Sequence, residues 1–170
     1  MSRAVAFDVM REDVKAVLGR INYATMTTVD GRLRPRSRVL IAVWELDGPQ
    51  PIGWLGTFRT PVKTAHLAAH PYATFSYWDQ RQDTVSFDTG AAWTDDPAER
   101  RHAWRLYEQG SPAGVGYPPA RFWPDGPDGA AWQVLKLQPY RVQLLLGREL
   151  ASGVPPRIWR SPAEGVTAAL

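Results

Sequence analysis

Cysteine is absent from the 170 residues, which excludes disulfides, zinc–thiolate centres and thiol nucleophiles. Histidine occurs three times, as His66, His70 and His102, scattered without metal-ligand spacing, so no metal site is expected. Only three of the 20 basic residues are lysines: Lys15, Lys63 and Lys136. No block of five or six basic residues occurs, no helical stretch carries a basic stripe, and the net charge is +3. Nucleic acid is therefore not an expected partner. The N-terminal residues lack an apolar leader-like run, and no later run is long enough to span a bilayer. The expected compartment is the cytoplasm, with no membrane partner. What remains is the composition of a globular protein, 44% hydrophobic with 8 Trp and 15 Pro, of a length that suits one domain. Its core is expected over about 10–146, with a loop-like tail over 147–170 in which Arg157 to Arg160 could dock. The weight of Arg, Ala, Pro and Gly suits a GC-rich coding bias, so arginine content alone carries no functional message.

Within this lysine-poor chain, Lys63 stands in the stretch from Gly53 to Pro71. Ile52 to Phe58 is apolar and aromatic with two glycines, which predicts a buried strand. Thr60 can cap a helix, Pro61 suits its first position, and Pro71 ends it. A helix N-terminus beside a strand end favours an anion. Thr57 and Thr60 add hydroxyls, and Arg59 and Lys63 add positive charge. Two readings fit these residues: a phosphate cradle, or a capped surface helix with a solvated lysine.

Upstream, Met10, Val14, Val17, Leu18 and Ile21 recur at helical spacing, predicting a helix over 8–20 capped by Asp8. Tyr23 to Val29 predicts a strand, Asp30-Gly31 a hairpin turn, and 34–46 the partner strand. Alternation would place Arg34, Arg36 and Arg38 on one face. Such a row is either a solvated edge or the holder of a shared anion. Strands follow over 73–78 and 84–94, the latter with Gly90 at a bulge or close approach. Asp96-Pro97-Ala98-Glu99 starts a helix that runs to Gln109 and stops at Gly110. The Gly/Pro-rich segment 110–130, with Tyr117, Phe122 and Trp123, is predicted to be a lid or a partner contact. Trp132 to Leu137 and Tyr140 to Leu146 make two final strands. The sum is six to seven antiparallel strands with flanking helices, a mainly β fold best satisfied by a small barrel.

In their order and spacing, four pieces resemble the FMN-binding split-barrel family typified by pyridoxamine 5′-phosphate oxidase. They are the hairpin from Ala24 to Val39, Thr57 followed six residues later by Lys63, the helix end from Leu67 to Pro71, and the late strand pair from Lys136 to Leu144. The resemblance implies a single split-barrel domain of the FMN-binding type. It further implies a flavin-dependent oxidoreductase of unnamed small-molecule substrate, and a homodimer with FMN at the subunit interface. By resemblance the cofactor falls to Arg36, Ser37, Arg38, Val39, Thr57, Thr60 and Lys63. Where the oxidases show Ser-Arg-Lys before the helix, this chain has Pro61-Val62-Lys63, and Arg59 and Thr60 are the candidate substitutes. The Arg-Gln pair of the oxidases is replaced by Thr84-Val85, and the pyridoxal phosphate signature is not evident. The resemblance is therefore to the fold's wider family and not to the vitamin B6 enzyme. The flavin carries the redox chemistry, so no catalytic acid or base is nominated. Tyr77, Trp78, Tyr117 and Trp123 are candidates for stacking. Alternatives within the same fold are a deazaflavin in place of FMN, a flavin-binding electron carrier, or a haem protein with His66 or His70 as axial ligand.

Overall fold

The computed structural model describes residues 3–110 and 118–162. The chain opens with a two-residue strand, β1 (Arg3–Ala4), and helix α1 (Phe7–Leu18). Phe7, Met10, Val14 and Val17 form the buried stripe of α1, at the spacing read from the sequence. Its N-cap is Ala6, without a side-chain cap bond, and Asp8 lies inside the first turn. The hairpin β2 (Ala24–Val29) and β3 (Pro35–Leu40) follows, then β4 (Val43–Glu45), β5 (Ile52–Thr57) and helix α2 (Pro61–Ala69). Next come β6 (Tyr72–Trp78), β7 (Thr84–Thr94), α3 (Pro97–Gly110), β8 (Gln133–Leu145), a short α4 (Gly147–Leu150) and β9 (Arg157–Arg160).

Nine strands form one mixed sheet in the order β1-β9-β8-β7-β6-β2-β3, with β5 joining β8 to β4. The count exceeds the six to seven expected because pairing divides one predicted strand, merges two others and adds β1 and β9. The predicted 34–46 strand breaks at Ile41-Ala42 into β3 and β4, which pair with different neighbours. The two predicted final strands are one, β8. Its register shifts opposite Asp88/Thr89, where Tyr140 is the extra residue. Burial changes parity there, from Leu135 and Leu137 to Val142 and Leu144. This is the behaviour of a β-bulge, a position that tolerates Pro139. The bend lets one edge of β8 pair with β5 over 133–137 and with β9 over 141–144. Arg157 to Arg160 of the expected loop-like tail thus docks as a sheet strand. Its partner β1 runs parallel to it, so the sheet is not wholly antiparallel.

Alternating residues of β2, β6, β7 and β8 (Met26, Phe75, Phe87, Val142) point into one core with the α1 stripe and Leu67 of α2. A second, aromatic cluster lies beneath α3. There Trp104 and Tyr107 meet Trp54, Trp123 and Trp132. No described helix is long and apolar enough to cross a membrane.

Candidate functional site

β5 delivers Thr57 to the start of α2, and the intervening residues bend the chain back on itself. Thr60, in extended conformation, caps α2 by accepting the Lys63 backbone N–H at 3.4 Å, with Pro61 in the first turn. Lys63 is not the solvated side chain of a surface helix: it is only 6% exposed. Its Nζ turns back to donate to Thr57 Oγ1 at 2.5 Å and to the Phe58 carbonyl at 2.9 Å. Burial, reinforced by the nearby Arg38 guanidinium, depresses its pKa from 10.5 to about 8.

Of the three arginines expected on one face of β3, two remain there. Arg34 lies in the connecting loop and pairs with Asp30 at 2.8 Å. That loop spans five residues, with Leu33 at φ 61°, and is not the tight two-residue turn expected at Asp30-Gly31. Asp30 accepts the Arg34 backbone N–H on Oδ1, the Arg34 Nε–H on Oδ2 and the Arg32 backbone N–H on Oδ1, and these bonds hold its carboxyl well below the usual range. Arg36 and Arg38 stand opposite Thr28 and Met26 of β2, and therefore on the core-side face. Arg38 is half-buried and donates from Nη1 to Thr28 Oγ1 at 2.9 Å. Desolvation lowers its pKa.

The remaining candidates disperse. Ser37 and Val39 occupy the opposite, outward face, where Ser37 Oγ lies 2.8 Å from Thr27 Oγ1. Arg59 stacks over the Trp93 ring at 5.1 Å and approaches Asp95 at 4.0 Å. Thr60 spends its hydroxyl oxygen on the cap. Of the candidates, Thr57 and Lys63 remain together as buried side chains, with Arg38 half-buried and Arg36 exposed on β3. Among the described residues, no carboxylate lies within salt-bridge distance of Arg36, Arg38 or Lys63. A buried ammonium with only a hydroxyl and a carbonyl for partners leaves its charge uncompensated.

The sequence reading does not single out Thr28, and it names His66 only as an alternative haem ligand. Thr28 is fully buried on β2, and His66 is buried one turn after Lys63 on α2. Thr28 Oγ1 lies 2.9 Å from His66 Nδ1 while accepting from Arg38. Alternation along β2 marks Thr28 as inward. Nothing local marks its partner, 38 residues away.

The stacking candidates separate clearly. Tyr77 is a core residue whose hydroxyl accepts from Trp44 Nε1 at 2.6 Å, and burial raises its pKa. It offers no stacking surface. Trp78 is exposed on the outward face of β6. Trp123 packs against Phe58 at 5.2 Å, which sets its segment of the 110–130 loop beside the Lys63 turn. Tyr117 lies outside the described residues. A separate hollow of about 370 Å³ opens between the end of α1, residues 41–44 and the end of α3, lined by Leu18, Ile41, Trp44 and Leu106.

No protein-family model matches the chain, and no curated protein matches it. Solved structures do. A general stress protein 26-related protein of the pyridoxinephosphate oxidase family from Clostridium acetobutylicum aligns over 90% of this chain and 95% of its own. Its TM-score is 0.67 at 11% identity. A pyridoxamine 5′-phosphate oxidase-related, FMN-binding protein from Nostoc punctiforme covers 82% of this chain and 84% of its own, with TM-score 0.62 and 18% identity. A heme binding protein from Mycobacterium smegmatis covers 84% of this chain and 60% of its own, with TM-score 0.58 and 16% identity. Mainly β with flanking helices, and matched along most of its length, the chain has the split-barrel fold of the pyridoxamine 5′-phosphate oxidase-like, FMN-binding proteins.

Proposed function

We propose that the chain binds FMN and acts as a flavin-dependent oxidoreductase on a small molecule. The observation that carries this reading is the Lys63 ammonium, buried near the Arg38 guanidinium with no carboxylate partner among the described residues. A phosphate would supply the missing counter-charge and accept from donors already oriented at the start of a capped helix. Lys63, Arg38 and Arg36 would hold that phosphate, with Thr57 orienting the ammonium and Thr60 fixing the helix start. A bound flavin supplies hydride and single-electron chemistry. The chain's residues supply position and positive potential. The FMN-binding relative of the same fold supports this reading.

The reading includes a two-fold homodimer with the cofactor at the subunit interface. The outward sheet face carries Val39, Tyr72 and Trp78, all more than half exposed, among the small polar residues Thr25, Thr27, Thr74 and Ser76. Exposed apolar side chains grouped on one sheet face suit a self-complementary contact. Light scattering is expected to give about twice the 19.0 kDa chain mass, and Trp78→Glu is expected to halve it. A wild-type monomer at micromolar concentration would remove the dimer from this account.

The functional reading is tested by the absorption spectrum and mass of whatever co-purifies with the protein. FMN gives a yellow flavin spectrum, and a deazaflavin absorbs further to the blue. An intense Soret band would replace the flavin with haem.

A further inference from the structure

We propose that Thr28 and His66 are positioning residues for Arg38, joined to it in a buried hydrogen-bonded chain that holds the guanidinium at the anion cradle. The inference concerns this chain's own side chains, and it rests on the FMN reading only for the ligand used as a probe.

The chain is Arg38 Nη1 to Thr28 Oγ1 at 2.9 Å, and Thr28 Oγ1 to His66 Nδ1 at 2.9 Å. Thr28 is 1% exposed. Valine would fill the same space without desolvating a hydroxyl, so the hydroxyl is a cost unless it is used. Two side-chain partners, Arg38 and His66, put it to use. A guanidinium can only donate, so the threonine oxygen accepts from Arg38. In the proposed hydrogen-bonded chain, the hydroxyl proton points to His66 Nδ1, the other partner of this oxygen, so that Nδ1 accepts and the ring proton sits on Nε2. The buried His66 ring is thereby committed to one tautomer.

The consequence lies in how α2 is used. Lys63 and His66 are three residues apart, one above the other on the same helix face. The helix therefore holds one cation directly and grips the second through Thr28. Arg38 and Lys63 carry like charges and repel each other, which adds to the larger effect of burial in lowering the Lys63 pKa. With no anion between them, Arg38 gains from swinging toward solvent. The Thr28–His66 link opposes that motion and keeps both charges aimed at one place before a ligand arrives. This is preorganisation of the kind that raises affinity by cutting the ordering cost of binding.

The test uses the full chain and four proteins: wild type, Thr28→Val, Thr28→Ser and His66→Leu. Nitrogen-detected NMR of the wild type at neutral pH should show His66 with unprotonated Nδ1 and protonated Nε2. It should also show the Arg38 guanidinium in slow rotation, and both signatures should be lost in Thr28→Val. In fluorescence titrations, Thr28→Val and His66→Leu should weaken FMN by roughly three- to tenfold, the equivalent of one lost hydrogen bond. Riboflavin affinity should not move. Thr28→Ser, which keeps the hydroxyl, should restore both the tautomer and FMN binding, which a loss of packing alone would not predict. A wild-type His66 protonated on Nδ1 would overturn the inference, as would FMN affinity unchanged in Thr28→Val. Should wild type bind no FMN, the flavin reading falls, and the NMR signatures alone uphold or overturn the positioning chain.

Discussion

Lys63→Met is expected to weaken FMN binding roughly tenfold to a hundredfold, because a charge-assisted contact to an anion contributes about 1.5–3 kcal/mol. Riboflavin, which lacks the phosphate, should bind the variant and the wild type alike. The same substitution should not lower the melting temperature of the apoprotein, and at neutral pH it should raise it. A surface lysine would leave melting unchanged. Lys63 is instead buried with a hydroxyl and a carbonyl as partners, and a methionine of similar length fills its path without a charge to desolvate. The pH dependence carries the sign. The folded-state pKa is lowered from 10.5 to about 8, so between these values the unfolded chain binds more protons than the folded one. Wild-type stability therefore gains from this group as pH rises through that window. The advantage of Lys63→Met should shrink over the same range. FMN binding runs the other way, strong while the ammonium is charged and weakening as pH rises above about 8. Melting curves and FMN titrations from pH 7 to about 10 measure both trends. A Lys63→Met apoprotein that melts well below wild type at neutral pH would mean that the ammonium is compensated in the folded chain.

Gly56→Val is expected to be the most damaging single substitution in the sheet. Gly56 lies in β5 with its N–H donating to Tyr107 Oη at 3.1 Å, and the Tyr107 hydroxyl bonds onward to the Ile41 carbonyl. A Cβ at this position would fall inside the Trp132 ring. Trp132 has nowhere to go: it is fully buried against Trp104 at 5.1 Å, Trp123 at 4.8 Å and Tyr107 at 5.7 Å. Overpacking of a filled core costs about 1–3 kcal/mol, and a β-branched side chain meeting an immovable indole belongs at the upper end. For a chain of this size that corresponds to a fall in melting temperature of roughly 6–12 °C. Gly31→Ala, where a Cβ meets nothing within 4 Å, is the control and should melt with wild type. Since Thr57 follows Gly56 directly, FMN affinity should fall with stability in Gly56→Val. Thermal melting that leaves Gly56→Val and Gly31→Ala indistinguishable would contradict the packing described for the aromatic cluster.

Where a signal is local, the sequence carries the structure well. The start of α2 is legible because Thr60 and Pro61 act within their own turn. The start of α3 is legible for the same reason, with Asp96 Oδ1 accepting the Ala98 N–H at 2.8 Å. Residues 84–94 are legible as a strand because β-branched and aromatic residues (Val85, Phe87, Thr89, Trp93) recur at alternate positions, and the structure buries alternate residues from Val85 to Ala91. What fails is decided at a distance. β1 and β9 are too short to show a period, and they become strands only by pairing with each other and with β8. The break at Ile41-Ala42 is invisible in an unbroken apolar run, since it is set by β3 and β4 having different partners. The site divides in the same way. Residue types and spacing pick out Thr57 and Lys63, the family resemblance joins Arg38 to them, and the fold sets Thr57 and Lys63 at one turn within range of the Arg38 charge. That Lys63 is buried, that Arg34 is spent on Asp30, and that Arg59 leans on Trp93 are side-chain choices made by neighbours. Thr28 and His66 belong to this second class. Their role depends on a helix and a strand meeting across 38 residues.

The measurement that tests the central claim most directly is a paired titration of the wild-type apoprotein with FMN and riboflavin at neutral pH, followed by flavin fluorescence. If Lys63 and Arg38 form a cradle for the phosphate, FMN should bind at least about tenfold more tightly than riboflavin. Added inorganic phosphate should narrow the gap by competing for the same charges. Equal affinity for the two flavins, unmoved by phosphate, would contradict the account: the buried ammonium would then be no anion site, and only the split-barrel fold would stand.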